Sequence, residues 1–215
     1  MLCEITKRFP DANYVKCGTN CPDAKCPGFS FGEVNRLLPS IIAPHLLTAM
    51  ETLARSAPDG CFAEVGVFNG GSAYRLYQIA LAQGRVLHLF DTFEGTPNYT
   101  EGLDKHKIDA EFAAPAAPAQ IRELMPTAQL HIGPYPDTHP PELRHVAFIH
   151  CDCDQYLSYK AVIDRMWPLV VPGGFMLFDD YPYLAGARKA VEESFPARSL
   201  RMAGARYYVT KEASP

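Results

Sequence analysis

The sequence predicts an α/β fold with a doubly wound, mostly parallel sheet of seven strands. From about residue 39 onward, short apolar runs alternate with segments of helical periodicity, a pattern typical of parallel strands joined by crossover helices. The predicted strands are continuous apolar runs, as expected where helices cover both faces of a sheet. A closing hairpin makes the last strand antiparallel and places an antiparallel strand at one edge.

Individual elements follow from periodicity and from turn residues. Apolar positions between Ile41 and Leu53 recur at helical spacing, and Asp59-Gly60 ends that segment. Pro172-Gly173-Gly174 is expected to end the helix that begins near Tyr156. Residues 92–118 lack clear periodicity, which predicts a lid or binding loop. We therefore predict helices at 39–55, 70–82, 121–125, 156–170 and 185–195, and strands at 61–67, 85–90, 129–132, 146–151, 175–178, 199–202 and 206–210.

Composition restricts the domain organisation and the class of partner. The chain has 215 residues and a formal net charge of -4, which we divide into an irregular, cysteine-rich segment at 1–38 and one folded domain at 39–215. No long basic run marks a nucleic-acid partner. Neither a secretory signal nor an apolar run of about 18 residues is present, so we expect a cytoplasmic protein without a membrane span. A homodimer is compatible with the sequence but has no signature in it.

Three of the seven cysteines, Cys17, Cys21 and Cys26, lie close together near the N-terminus. Their spacing matches no zinc or iron–sulfur pattern. A cytosolic chain of this size needs no disulfides. We therefore interpret these residues as free thiols and predict that they bind no catalytic metal.

The first candidate site is the segment from Glu64 to Ser72, which joins a predicted strand to the following helix. Gly66 permits a close backbone turn, and two later glycines open a helix whose free N–H groups point outward. The pattern is neither the dinucleotide fingerprint nor a Walker loop. Asp91 ends the next strand, where a carboxylate can bind both ribose hydroxyls of a nucleoside. A turn suited to an amino-acid head group beside a ribose-binding acid predicts S-adenosylmethionine (SAM).

The second candidate site consists of aspartates that follow two later strands. Asp152 comes directly after one strand, and the Asp179-Asp180 pair follows the next. Because the carboxyl ends of parallel strands meet at one edge, we expect these carboxylates to converge and to repel one another unless a cation holds them. All-oxygen ligation favours Mg²⁺, Ca²⁺ or Mn²⁺ over zinc. Asp154 is an alternative ligand, since it lies on the same side of the strand as Asp152.

Four segments resemble the macrocin O-methyltransferase family of SAM-dependent enzymes. They are Glu-Val-Gly-Val-Phe-Asn-Gly-Gly at 64–71, Phe-Asp-Thr-Phe-Glu-Gly-Thr-Pro at 90–97, Asp-Cys-Asp-Gln-Tyr at 152–156 and Pro-Gly-Gly-Phe-Met-Leu-Phe-Asp-Asp-Tyr at 172–181. The resemblance implies a Rossmann-like class I methyltransferase that uses Mg²⁺ or Mn²⁺ to methylate a hydroxyl of a small molecule, such as a sugar of a natural-product glycoside. The aspartate layout is also similar to that of catechol O-methyltransferases, which place a lysine base where this chain has Gln155.

The motifs together define the expected site residues. Phe68, Phe93 and Tyr135 are expected to pack around the cofactor, although core packing explains Phe68 equally well. The expected metal ligands are Asp152, Asp179 and Asp180. The expected cofactor-binding residues are Glu64, Gly66, Val67, Phe68, Asn69, Gly70, Gly71, Ser72, Asp91, Thr92, Phe93, Tyr135 and Asp152.

The expected catalytic residues are Asp152, through the metal, and His106, as the base. His106 lies in the predicted lid, and histidine titrates close enough to neutral pH to accept a proton from the acceptor hydroxyl. The alternative is an exposed lid histidine, with the metal alone activating the hydroxyl. His150 is a reserve candidate, but its place inside a strand favours core packing.

Other functions remain open at this point. A catechol-like phenol O-methyltransferase and a non-catalytic SAM-binding protein share the same motifs. A nicotinamide oxidoreductase would need the missing dinucleotide fingerprint. A metal-dependent hydrolase would leave the pairing of Gly66 with Asp91 without a role.

Overall fold

The computed structural model describes residues 38–106 and 112–213, together with the backbone of two short antiparallel strands, Val15–Lys16 and Pro27–Gly28. The cysteines Cys17, Cys21 and Cys26 lie outside these residues. None of the helices in the described part of the chain is long and apolar enough for a membrane crossing.

The main sheet has seven strands, as predicted. In chain order they are β1 Cys61–Val65, β2 Leu87–Asp91, β3 Gln129–Ile132, β4 Val146–Cys151, β5 Val170–Phe178, β6 Arg201–Ala203 and β7 Arg206–Thr210. Their spatial order is β3-β2-β1-β4-β5-β7-β6. Strands β1 to β5 pair in parallel, whereas β7 is antiparallel to both of its neighbours.

The last strand is antiparallel, as predicted, and the edge strand β6 pairs antiparallel with it. The last strand of the chain, β7, does not lie at the edge of the sheet but between β5 and β6. The first strand of the hairpin, β6, takes the edge, and the chain then turns inward so that β7 pairs with β5. This arrangement brings the first residue of β7, Arg206, beside the carboxyl end of β5, where Phe178 pairs with Tyr207.

In the part of the chain that the structure describes, five helices cover the sheet: α1 Pro44–Ser56, α2 Gly71–Ala82, α3 Ala117–Leu124, α4 Tyr156–Met166 and α5 Ala185–Ser194. Buried residues of α1, α2 and α3 form one apolar cluster with inward-facing residues of β1 and β4. Buried residues of α4 and α5 form a second cluster that includes other residues of the same strands. The sheet therefore has two covered faces, which explains its continuous apolar strands.

The expected helix at 156–170 is too long. Helix α4 ends at Met166, a 3-10 turn follows at Trp167–Leu169, and β5 already begins at Val170. Pro172-Gly173-Gly174 therefore lies inside a strand, at a break in the β4–β5 register. Gly173 has a positive φ of 80°, and a Cβ on Gly174 would crowd the carbonyl oxygen of Ala147. The glycines thus form a bulge rather than a helix end.

Candidate active site

A cavity of about 400 Å³ opens at the carboxyl ends of β1, β2, β4 and β5. Ligands of open α/β sheets bind at this edge, where the strand order reverses. The following predicted site residues line it: Gly66, Val67, Phe68, Gly71, Ser72, Asp91, Thr92, Tyr135, Asp152, Asp179 and Asp180. Both candidate sites of the sequence analysis therefore belong to one cavity.

Asp91 fixes the turn that follows β1. Its Oδ2 accepts hydrogen bonds from the backbone N–H groups of Val67 at 2.6 Å and Phe68 at 2.8 Å, and its Oδ1 accepts one from Phe93 at 2.6 Å. Phe68 and Phe93 both have positive φ, 50° and 57°, a costly conformation for aromatic residues. The carboxylate therefore stabilises two strained loops, and its Oδ1 retains one further acceptor site.

Gly66 permits the closest backbone approach in this region. Its φ is +90°, and a Cβ at this position would overlap the backbone carbonyl of Asp152. The two strand ends are also joined directly, because the N–H of Asp152 donates to the carbonyl of Val65 at 2.9 Å. Only glycine allows the turn after β1 and the aspartate after β4 to come this close.

Five predicted cofactor or catalytic residues do not line the cavity: Glu64, Asn69, Gly70, Phe93 and His106. Phe93 packs in the core with 3% of its surface exposed. Gly70 adopts a left-handed conformation, φ 84°, just before α2.

Glu64 belongs to a buried chain of polar groups that crosses the sheet. Its Oε1 accepts a hydrogen bond from Ser72 Oγ at 2.6 Å and lies 2.9 Å from His150 Nδ1. The other ring nitrogen of His150 lies 3.5 Å from Asp179 Oδ1. Among the described residues, Glu64 Oε2 has no hydrogen-bond partner, so one buried carboxylate oxygen remains available to a water molecule or a bound group.

The aspartates that line the cavity differ in their electrostatics. Burial and the charges of Asp179 and Asp180 raise the pKa of Asp152 well above its usual range. Burial, Asp154 and Asp179 raise the pKa of Asp180 to about 8. Burial also acts to raise the pKa of Asp179, but hydrogen bonds from His150 and Arg206 outweigh it and lower that pKa. A bound cation would relieve the repulsion at Asp152 and Asp180.

The predicted metal ligands are only partly brought together. One ligand atom from each of His150, Asp152 and Asp179 lies within 4.8 Å of the others, a separation that a single ion can bridge. The carboxylate of Asp180 instead accepts hydrogen bonds from Tyr159 Oη at 2.9 Å and from the N–H of Asp154 at 3.0 Å. Arg206 pairs with Asp179 at 2.6 Å and compensates its charge.

We refer to residues 92–106 and 112–116, between β2 and α3, as the lid. His106 lies in it with its ring edge-on to Phe112, at 4.9 Å between centroids. Phe112 lines the cavity, whereas His106 does not. His106 therefore reaches the cavity only if this ring contact changes.

The sequence patterns do not identify several residues that contribute to the site. Arg206 lies in a hairpin whose pairing partner the pattern did not define. The segment before α1 supplies an apolar wall through Ile41, Ile42 and Leu46, which the periodicity assigned only to a helix. His150 was interpreted as a core residue, and it is fully buried, but it joins two acids of the site.

Comparison with known proteins places this chain in one family. The family model described as macrocin-O-methyltransferase (TylF) matches residues 42–202. A tetracenomycin-C derivative 4'-O-methyltransferase of Streptomyces olivaceus, which acts on a rhamnosyl form by its name, is 29% identical over 167 residues, covering 69% of this chain and 63% of the relative. Mycinamicin III 3''-O-methyltransferase of Micromonospora griseorubida is 27% identical over 169 residues, covering 69% and 65%. The chain thus matches less than two thirds of either relative.

Solved structures share the fold. The O-methyltransferase NovP has a TM-score of 0.69 at 20% identity, with 86% of this chain and 90% of that chain covered. The calicheamicin methyltransferase CalS11 has a TM-score of 0.68 at 20% identity, with 97% and 90% covered. An O-methyltransferase from Bacillus cereus, solved with S-adenosylhomocysteine (SAH), has a TM-score of 0.57 at 16% identity, with 98% and 100% covered.

Proposed function

The chain belongs to the macrocin-O-methyltransferase family, and we propose that it is a SAM- and divalent-metal-dependent O-methyltransferase that acts on a sugar hydroxyl of a natural-product glycoside. One observation carries this proposal: the glycine turn held by Asp91 and the cluster around Asp152 line the same cavity. The names of the two curated relatives, both glycoside O-methyltransferases, support the choice of acceptor.

The residues present fit SAM. The turn at Gly66 has no side chain to obstruct a ligand, and Ser72 and Asp91 offer a hydroxyl and a carboxylate to the same space. Tyr135 and Phe90, whose rings pack edge-to-face at 5.4 Å, provide an aromatic surface at the end of β2. When bound, SAM supplies an activated methyl group.

The residues also fit a divalent cation. Burial and the neighbouring carboxylates of Asp179 and Asp180 raise the pKa of Asp152, and hard oxygen ligands suit Mg²⁺ or Mn²⁺. Asp152 and Asp179 would hold the ion, with Asp180 or Asp154 completing the set. When bound, such an ion supplies positive charge that orients an acceptor hydroxyl and favours its deprotonation.

The protein's own side chains would orient the acceptor and exclude water. Ile42, Leu46, Phe68 and Phe112 supply apolar lining to the same cavity as the aspartates. A lining of this kind suits the apolar face of a glycoside, while the aspartates face its hydroxyls. Proximity of the two reactants in a water-poor site accounts for a large share of the rate in such transfers.

His106 remains our proposed base. For this role its ring must leave Phe112 and enter the cavity, which requires movement of the lid. If it does not, a carboxylate beside the metal must take the proton.

Titration calorimetry with SAM, SAH and NAD⁺ tests the cofactor assignment first. We expect SAM and SAH to bind and NAD⁺ to show no heat of binding. Incubation with SAM, Mg²⁺ and either mycinamicin III or the rhamnosyl tetracenomycin derivative then tests the acceptor class by mass spectrometry. Binding of NAD⁺ but not SAH would overturn the proposal.

A further inference from the structure

The lid is fastened to the first turn of α4 through Gln155. This residue immediately precedes α4, and its surface is 0% exposed. Its side-chain oxygen accepts a hydrogen bond from the N–H of Asn98 at 2.7 Å, and its side-chain nitrogen donates one to the carbonyl of His106 at 3.1 Å. One amide group therefore joins two separate points of the lid.

Two further side chains fasten the same stretch. Asp104 Oδ1 accepts a hydrogen bond from the N–H of Tyr156 at 2.8 Å, and its Oδ2 accepts one from Thr100 at 2.7 Å. Asn98 Nδ2 donates to Ser158 Oγ at 3.1 Å. At Gly186, in α5, a Cβ would collide with Asp104 Oδ1, so the close packing of this glycine leaves room for the carboxylate.

The fastened lid forms part of the cavity wall. Thr96 and Pro97 precede Asn98 and line the cavity, and Phe112 follows His106 and lines it as well. Gln155 itself does not line the cavity. Its side chain contacts the lid backbone rather than the cavity.

We propose that Gln155 is a positioning residue that holds the lid against α4 and so sets the wall that contacts the methyl acceptor. Both polar atoms of the Gln155 side chain are engaged by lid backbone, at Asn98 and at His106. This position therefore contributes geometry rather than proton transfer. The statement about the acceptor rests on the proposed function, but the fastening of the lid does not.

Hydrogen–deuterium exchange on the full chain without ligands tests the fastening. Gln155→Met keeps the side-chain length but loses both hydrogen bonds, and we expect exchange at 97–104 to rise about tenfold, the effect of one or two lost hydrogen bonds. Gln155→Glu keeps the acceptor for Asn98 and closely matches the shape of the glutamine side chain. We therefore expect exchange at 97–104 to rise less than in Gln155→Met. Lys160→Ala is the control, because Lys160 lies on α4 but contacts Asp164 and Ser194. Wild-type exchange at 97–104 in both Gln155 variants would overturn the proposal.

Steady-state kinetics with mycinamicin III or the rhamnosyl tetracenomycin derivative, whichever turns over faster, separates positioning from general destabilisation. In Gln155→Met we expect the KM for the glycoside to rise about tenfold, in line with the lost hydrogen bonds, and the KM for SAM to stay unchanged. An equal rise of both values would contradict a role in the acceptor wall. If the wild type methylates neither glycoside, the proposed acceptor class fails, and the exchange result alone decides whether Gln155 fastens the lid.

Discussion

Arg206 donates two hydrogen bonds to the carboxylate of Asp179, from Nε to Oδ1 at 2.8 Å and from Nη2 to Oδ2 at 2.6 Å. This bidentate geometry is the strong form of an arginine–carboxylate pair. Both side chains are largely buried, with 12% and 10% of their surfaces exposed. The pair therefore anchors β7 to the end of β5 and fixes one carboxylate of the site before any ligand binds.

Arg206→Met should destabilise the protein. Removal of one partner of a buried ion pair leaves the other charge without compensation, which costs about 3 kcal/mol. In a protein of this size we expect the Tm to fall by about 6–12 °C, measured by calorimetry. Arg201→Met, on the exposed side of β6, is the control and should leave the Tm unchanged. A normal Tm for Arg206→Met would show that the pair does not stabilise the sheet.

Asp152→Asn should stabilise the metal-free protein and abolish its response to Mg²⁺. The pKa of Asp152 is raised by burial and by Asp179 and Asp180, so its charge opposes folding at neutral pH. We expect a higher Tm than wild type without metal and no further rise with Mg²⁺, whereas the wild type should respond. Asp164→Asn, an exposed carboxylate on α4, should behave as wild type. A full Mg²⁺ response in Asp152→Asn would exclude this aspartate as a ligand.

Asp91→Ala should remove most of the stabilisation by SAH and also lower the Tm of the free protein. The second effect follows because three backbone N–H groups lose their acceptor. For the wild type, SAH at one hundred times its Kd should add about 2.7 kcal/mol of stability. Thermal shift assays with Asp59→Ala, an exposed acid, supply the comparison. An undiminished shift in Asp91→Ala would separate this residue from the cofactor.

His88 should make the protein less stable in mild acid. Burial and the neighbouring His131 lower its pKa to about 4, with a smaller effect of the same sign from His139 and an opposing one from Glu142. The unfolded chain then takes up a proton between about pH 6.5 and pH 4 that the folded chain does not. Stability should therefore be complete above about pH 6.5 and fall as the pH is lowered towards about 4.

Denaturant titrations of wild type and His88→Gln across this range measure the effect. The variant should show a shallower loss of stability towards acid, because one histidine that resists protonation has been removed. Identical pH profiles for the two proteins would contradict the assigned role of His88.

His106→Ala should lower turnover by about 10²–10⁴-fold if His106 is the base. SAM affinity should hardly change, because His106 does not line the cavity and is assigned no contact with SAM. Turnover is measured from pH 6 to pH 9 with the glycoside that the acceptor screen identifies. Wild-type turnover throughout this range would eliminate His106 and leave the metal and its carboxylates as the activating groups.

Much of this site was predictable from the residues that follow the predicted strands. Asp91, Asp152 and Asp179 each follow a continuous apolar run, and the carboxyl ends of parallel strands meet at one edge. The lining of a single cavity by these residues confirms that placement. The sequence also predicts the glycine turn, but only the structure shows that Gly66 makes room for the backbone of Asp152.

The remaining features of the site depend on strand pairing, which local sequence patterns do not encode. Arg206 reaches Asp179 only because β7 inserts between β5 and β6, and no periodicity distinguishes this order from an edge position. His150 bonds to Glu64 because the two residues are paired in register across β1 and β4. Gly173 and Gly174 have the residue types of a helix end and of a bulge alike, so only the strand register decides between them.

The most direct test of the account is methyl transfer from SAM labelled with deuterium in its methyl group, followed by mass spectrometry of the glycoside. The acceptors are mycinamicin III and the rhamnosyl tetracenomycin derivative, each with Mg²⁺ and with excess EDTA. We expect a labelled methyl ether on the sugar of at least one acceptor in Mg²⁺, and its loss in EDTA. Undiminished transfer in EDTA would contradict the role of the aspartate cluster, and absence of transfer to either glycoside would contradict the proposed reaction.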